Sequence, residues 1–174
     1  MRNRTTKFAA IAVFGLLAVG FAFATNTATS SMTVTATINP NCTISANPLA
    51  FGVYDPVVTN ASSPLTTSTT LAVTCTAGDT PTVTLGQGSH AAGDSTDASP
   101  DRRMLATVNA TSYYLSYTLL QPDDATPWGN TSGTGYGYLG TGTAGSITVN
   151  GSVGQNQQMP AGNYSDSVVA TITF

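Results

Sequence analysis

Residues 30–42 read SSMTVTATINPNC, with Met32, Val34, Ala36 and Ile38 on one side of an extended chain and Thr33, Thr35 and Thr37 on the other. A period of two is the pattern of a half-buried strand, because successive side chains of an extended backbone point to opposite faces. Asn39-Pro40-Asn41 ends the pattern just before Cys42. The fold turns on this stretch: it is either the first strand of its own sheet or a strand whose sheet lies elsewhere.

Upstream, Arg2, Arg4 and Lys7 precede an uncharged apolar run from Phe8 to Phe23, and Ala22-Phe23-Ala24 supplies small residues around an aromatic. That order predicts an export signal over residues 1–24 with cleavage before Thr25. The run is shorter than the roughly 20 residues a spanning helix needs, so the mature chain is expected to carry no membrane span. Of the five basic residues only Arg102 and Arg103 then remain, against eight Asp and no Glu, a net charge of −6. Nucleic acid is excluded as a partner, since phosphate binding needs clustered Lys and Arg. The lack of Glu and Lys also removes good helix formers and leaves a Thr-, Ser-, Asn- and Gly-rich chain. Cys42 and Cys75 are the only cysteines, and in an exported protein they most simply pair; a metal site on them lacks His or further Cys partners.

Downstream, CTISANPLAFGVYDP (42–56) reads as two extended pieces split by Asn47-Pro48, and Val57 to Pro64 as a loop. LTTSTTLAVTCT (65–76) resumes strand character, with Leu71, Val73 and Cys75 on one face. Gly78-Asp79-Thr80-Pro81 predicts a turn from which TVTLG pairs back as a hairpin. Residues 86–101 hold no periodic apolar face and read as surface loop. SYYLSYTLL (112–120) is the strongest strand by composition, QPDDATPWGN the clearest loop, and residues 129–145 a Gly-rich connection leading to SITVNGSV. In SDSVVATITF (165–174), Val168, Ala170, Ile172 and Phe174 alternate against Val169, Thr171 and Thr173. Some seven short strands without a helix predict an all-β antiparallel sandwich with a strand at each end. Neither terminal strand is blunted by charge or proline, although such edges invite pairing with another chain.

The arm before Cys42, PLAFGVYDP after it, LAVTC, RRML followed by YYLSYTLL, TPWGN and PAGNYSDSVVATITF stand in one order over nearly the whole mature chain. Together they resemble the spore coat protein U domain family, which includes subunits of archaic, Csu-type chaperone-usher pili. Residues 86–101 and 133–145 fall outside the resemblance. It implies an immunoglobulin-like antiparallel β-sandwich that is incomplete, missing its last strand and completed by a donor strand from a neighbouring subunit. The corresponding organisation is a signal at 1–24, a donor arm at 25–39 and a pilin domain at 40–174. Met32, Val34, Ala36 and Ile38 would be the donor side chains, and Val168, Ala170, Ile172 and Phe174 the acceptor and chaperone-binding edge, a chain ending at Phe174 offering no further strand to cover its core. The implied partners are identical subunits joined head to tail, a periplasmic chaperone, an outer-membrane usher and a tip subunit. The implied location is an extracellular fibre, with no cofactor. The implied role is structural: the major shaft pilin, supporting adhesion, biofilm or coat formation.

Plainer readings stand beside these. Met32 to Ile38 as the first strand of its own domain would give a free secreted β-sandwich, a carbohydrate-binding module or a spore-coat protein with its arm folded back. His90 with Asp94, Asp97 and Asp101 matches no calcium-loop spacing, and Asp123-Asp124 sit in a Pro-flanked turn where Asp bonds local backbone, so neither group is read as catalytic. A single His is also a poor basis for a nucleophilic triad. Trp128 either packs over the sandwich end or offers a surface aromatic to a sugar. Tyr164 is expected to anchor the last strand through its hydroxyl, and Arg102 and Arg103 to stand at a strand start as solubilising or intersubunit charges.

Overall fold

The computed structural model describes residues 25–174; the expected export signal lies outside them. The chain divides into two units, residues 1–36 and 37–174. In the first, residues 25–36 have no regular secondary structure and each is exposed.

The second unit holds eight strands: β1 (Cys42–Ala46), β2 (Leu65–Cys75), β3 (Thr82–Leu85), β4 (Arg102–Val108), β5 (Thr111–Leu120), β6 (Tyr136–Gly137), β7 (Gly145–Val153) and β8 (Ala170–Thr173). They form a five-stranded sheet, β1-β2-β7-β5-β4, and a three-stranded sheet, β6-β3-β8, with every pairing among the described residues antiparallel. Period-two sequences make both layers, as in β2, where Leu71, Val73 and Cys75 are buried and Ala72 is exposed, and in β5, where Leu115, Tyr117 and Leu119 are buried between exposed Tyr114, Ser116 and Thr118. These faces, with Ile147, Val149 and Val153 of β7, meet Val83 and Leu85 of β3 in one core.

The tightest connection joins β4 to β5. Asn109 and Ala110 both take left-handed backbone, φ 49° and 63°, and Val108 faces Thr111. Two positive-φ residues make a turn whose twist matches that of the flanking strands, which is why two residues suffice.

The hairpin expected around Gly78–Pro81 does not form. β2 pairs with β1 and β7, whereas β3 pairs with β6 and β8 in the other sheet. The turn bonds elsewhere: Gly78 N–H donates to the Gly140 carbonyl at 2.9 Å, and Gly140 N–H to that of Asp79 at 2.8 Å. The turn therefore carries the chain across the sandwich. The Gly-rich connection also contains the short strand β6, and the 57–64 loop a 3-10 turn at Thr59–Ala61.

Candidate functional site

A cleft of about 1020 Å³ opens the core between two walls, residues 46–54 on one side and residues 159–168 with Ala170 on the other. Its floor includes Leu71, Leu85, Met104, Leu115, Tyr117 and Val149, the buried faces of both sheets.

The first wall is anchored at its ends. Asn47 N–H donates to the Thr70 carbonyl at 3.2 Å. At the far end the Tyr54 hydroxyl donates to the Gly154 carbonyl at 2.7 Å and accepts from Gln157 N–H at 2.9 Å. Between these anchors, residues 48–53 belong to no strand. Leu49 and Phe51 lie over Gly151 so closely that a Cβ there would meet Phe51 Cζ at 2.9 Å and Leu49 Cδ2 at 3.0 Å. Glycine in the middle of β7 thus makes room for the wall. Phe51 also meets Tyr117 edge-on, ring centroids 6.0 Å apart.

The second wall is bonded along one side. The Tyr164 hydroxyl donates to the Pro160 carbonyl at 2.9 Å, closing the corner expected of it. Ser165 exchanges backbone bonds with Leu105 at 2.9 and 3.1 Å, Ser89 N–H donates to the Ser167 carbonyl at 3.1 Å, and Gly86 N–H to that of Val169 at 2.8 Å. Asp166 accepts from the Tyr117 hydroxyl at 2.7 Å and from Ser89 N–H at 2.9 Å. Burial first, and then this bond to the carboxylate, push the Tyr117 hydroxyl well above its ordinary pKa of 10.0 and keep it a donor. With the odd-numbered residues bonded toward β3 and β4, backbone alternation turns the amides of Val168, Ala170 and Ile172 to the opposite edge. No strand among the described residues pairs with that edge of β8. The side chains of these three residues are half-buried against the core, while Val169 is 69% exposed.

The other expected site residues fall as follows. Cys42 and Cys75 face each other in the β1–β2 register and are disulfide-bonded. Met32, Val34 and Ile38 are 84%, 81% and 82% exposed, and Ala36 is exposed too. Phe174 is 56% exposed and lies beyond the end of β8.

Two readings are revised. Of the alternatives for Trp128, packing holds and the surface aromatic is corrected: it is 0% exposed, its Nε1–H donates to the Val83 carbonyl at 2.9 Å, and its ring packs on Tyr136. Arg102 is no solubilising charge: it is 2% exposed and ties three carbonyls, Gly86 through Nε and Leu85 and Trp128 through Nη2. Burial lowers its pKa to about 10, opposed by the nearby Tyr117 and Asp166. Arg103 lies 4.4 Å over the Tyr114 ring and bonds the His90 and Ala91 carbonyls. Asp123 accepts from Ala125 and Thr126 N–H, the local turn read from its sequence.

Sequence reasoning gives no site role to the first wall or the groove floor. The available signal is PLAFGVYDP, an extended piece after a proline in which Leu49 and Phe51 alternate with Ala50 and Gly52 and turn to the core, although the segment joins no sheet.

The Spore Coat Protein U domain family model matches residues 28–171. Protein U of Myxococcus xanthus is 43% identical over 157 residues, covering 85% of this chain and 86% of Protein U. Among solved structures, the crystal structure of the CsuC-CsuE chaperone-tip adhesion subunit pre-assembly complex, from archaic chaperone-usher Csu pili of Acinetobacter baumannii, contains a chain of similar fold. Its TM-score is 0.52 at 20% identity, over 79% of this chain and 40% of that one, a likeness of fold.

Proposed function

The chain belongs to the Spore Coat Protein U domain family, and on that premise we propose that it is a structural subunit of an exported chaperone-usher fibre that polymerises by donor-strand exchange. One observation carries the proposal: the core lies open in a cleft beside an unpaired strand edge, in a chain that also carries an exposed segment of strand-like alternation. Met32, Val34, Ala36 and Ile38 of one copy would enter the cleft of the next, their backbone pairing with the free amides of Val168, Ala170 and Ile172. Seven residues of strand cover roughly 20 Å. Burying the three large donor side chains contributes about 5–10 kcal/mol, and each ladder bond about 1 kcal/mol more. Such a contact is heterologous and does not close on itself, so it builds a fibre.

Before assembly, a periplasmic chaperone would cover the same edge, and an outer-membrane usher would exchange it for the next arm. A shaft place is favoured over the tip because the alternating segment 32–38 would let the subunit donate to a neighbour, which a subunit ending the fibre need not do. The work is assembly rather than catalysis, and surface attachment, biofilm or coat formation would follow from the fibre.

Deleting residues 25–38 tests this. The expected result is loss of the SDS-resistant ladder, with the subunit still accumulating in complex with a chaperone. Unchanged fibres, or a stable monomer of the intact mature chain with its arm folded back, would overturn it.

A further inference from the structure

Arg102 does more than tie three carbonyls. A guanidinium has five N–H donors, and the bonds to Gly86, Leu85 and Trp128 use the one on Nε and both on Nη2. Both Nη1 hydrogens are left without a protein acceptor among the described residues. The enclosed, unpaired side-chain polar atom among those residues is Asp79 Oδ2, so Nη1 keeps access to solvent. Beside Arg102 lies a pocket of about 320 Å³, walled by Ser99 and Pro100, by Thr118 and Thr126, and by Gly133 and Thr134.

We propose that this pocket is a binding site for a small carboxylate or oxyanion, held by Arg102 Nη1 with the Ser99 hydroxyl beside it. The partners Arg102 has among the described residues are neutral carbonyls, and the nearby Asp166 carboxylate is bonded to Tyr117 and Ser89. A buried guanidinium with two idle donors gains most from an anion, because charge-assisted bonds are about twice as strong as neutral ones. Of the hydroxyls around it, those of Thr118 and Thr126 already donate to the Ser152 carbonyl and the Asp123 carboxylate, so Ser99, and Thr134 where it accepts from Thr131, are the ones that can turn to an anion. At a share of about 30 Å³ per water, the space equals roughly ten waters. That fits one acidic monosaccharide or an inorganic anion. Two walls come from residues 98–100 and 133–134, linkers outside the family motifs, and Leu119 is the one lining residue shared with the groove. The pocket therefore lies apart from the groove.

Binding is read by isothermal titration calorimetry, which needs no reporter side chain at the pocket. The mature chain is titrated with sodium glucuronate and separately with sodium phosphate, with chloride at equal ionic strength as the reference. The expected result is a saturable change with at least one probe; glucuronate alone identifies a carboxylate site, and phosphate alone or both identify an oxyanion site. Gly133→Leu fills the pocket at a position where a Cβ meets nothing within 4 Å, and it should weaken binding roughly tenfold or more with an unchanged melting temperature. Arg102→Lys keeps the charge but loses the fork and should abolish saturation; if it does not fold, Gly133→Leu decides. No saturable change beyond chloride with either probe, or wild-type binding by Gly133→Leu, overturns the site.

Discussion

Residues 32–38 and residues 168–174 both carry apolar side chains at every second position, against threonines in the first and against Val169, Thr171 and Thr173 in the second, yet they occupy opposite situations. Met32, Val34 and Ile38 are more than 80% exposed and lie in no strand, whereas Val168, Ala170 and Ile172 are half-buried, with β8 paired to β3 along one edge. A period of two states that a segment can lie half-buried in a sheet; it does not state whose sheet. For β8 the answer lies in its own chain, because β3 supplies a matching edge with Leu85 opposite Ala170. For the arm, the proposed answer is the free edge of another copy's β8.

The contrast is broken most severely by charge. Val34→Asp with Ile38→Asp should abolish the SDS-resistant polymer, because a carboxylate cannot enter an apolar groove without losing its hydration, while the thermal unfolding of the subunit is left unchanged. Ile172→Asp should instead lose both polymer and folded subunit, since that side chain packs on its own core. Equal effects from arm and strand would mean that the arm belongs to its own domain.

Next in size is the disulfide, which holds β1, and with it the root of the arm, to β2 across a separation of 33 residues. Replacing both cysteines with serine should cost about 3–4 kcal/mol in the chain-entropy estimate, read as a lowered denaturation midpoint. Gly151→Ala tests the first wall: the added Cβ meets Phe51 and Leu49 at 2.9 and 3.0 Å. The expected loss is about 1–3 kcal/mol, accompanied by weaker polymer, because the wall must shift over the groove.

The smallest effect concerns the loops, which stand apart from both segments. The carboxyls of Asp55, Asp97 and Asp123 lie below their ordinary 3.8, held there chiefly by Val57 N–H, the Asn130 amide and the Thr126 hydroxyl respectively. Depressed folded pKa values mean that the stability these groups contribute is present above pH 3.8 and is lost as pH falls below it. A small fall in melting temperature confined to that range is expected. A loss beginning near pH 6 would point to other groups.

Much of this molecule is legible in the order of its residues. The all-β character, the buried sides of β2 and β5, the paired cysteines, the Tyr164 anchor and the loop over 86–101 all follow from local alternation, turn chemistry and compartment. The open choice at Trp128 and the correction at Arg102 share one cause. Both residues have polar atoms satisfied by carbonyls 16 to 45 positions away in sequence, and no local pattern reveals such partners. The β2–β3 connection departs from its expected hairpin for a related reason: a turn motif specifies a reversal of direction, but which sheet receives the next strand depends on which edges are already taken.

The sequence by itself determined which faces of the strands are apolar, and it supplied an alternating arm and a pair of cysteines, because these depend on side-chain order alone. Only the tertiary structure decided that the core stays open along one edge of β8, that residues 46–54 wall the opening, and that Arg102 stands inside with donors to spare. Edges, cavities and idle donors are defined by what the rest of the chain leaves uncovered, and that becomes fixed only when the two sheets pack together.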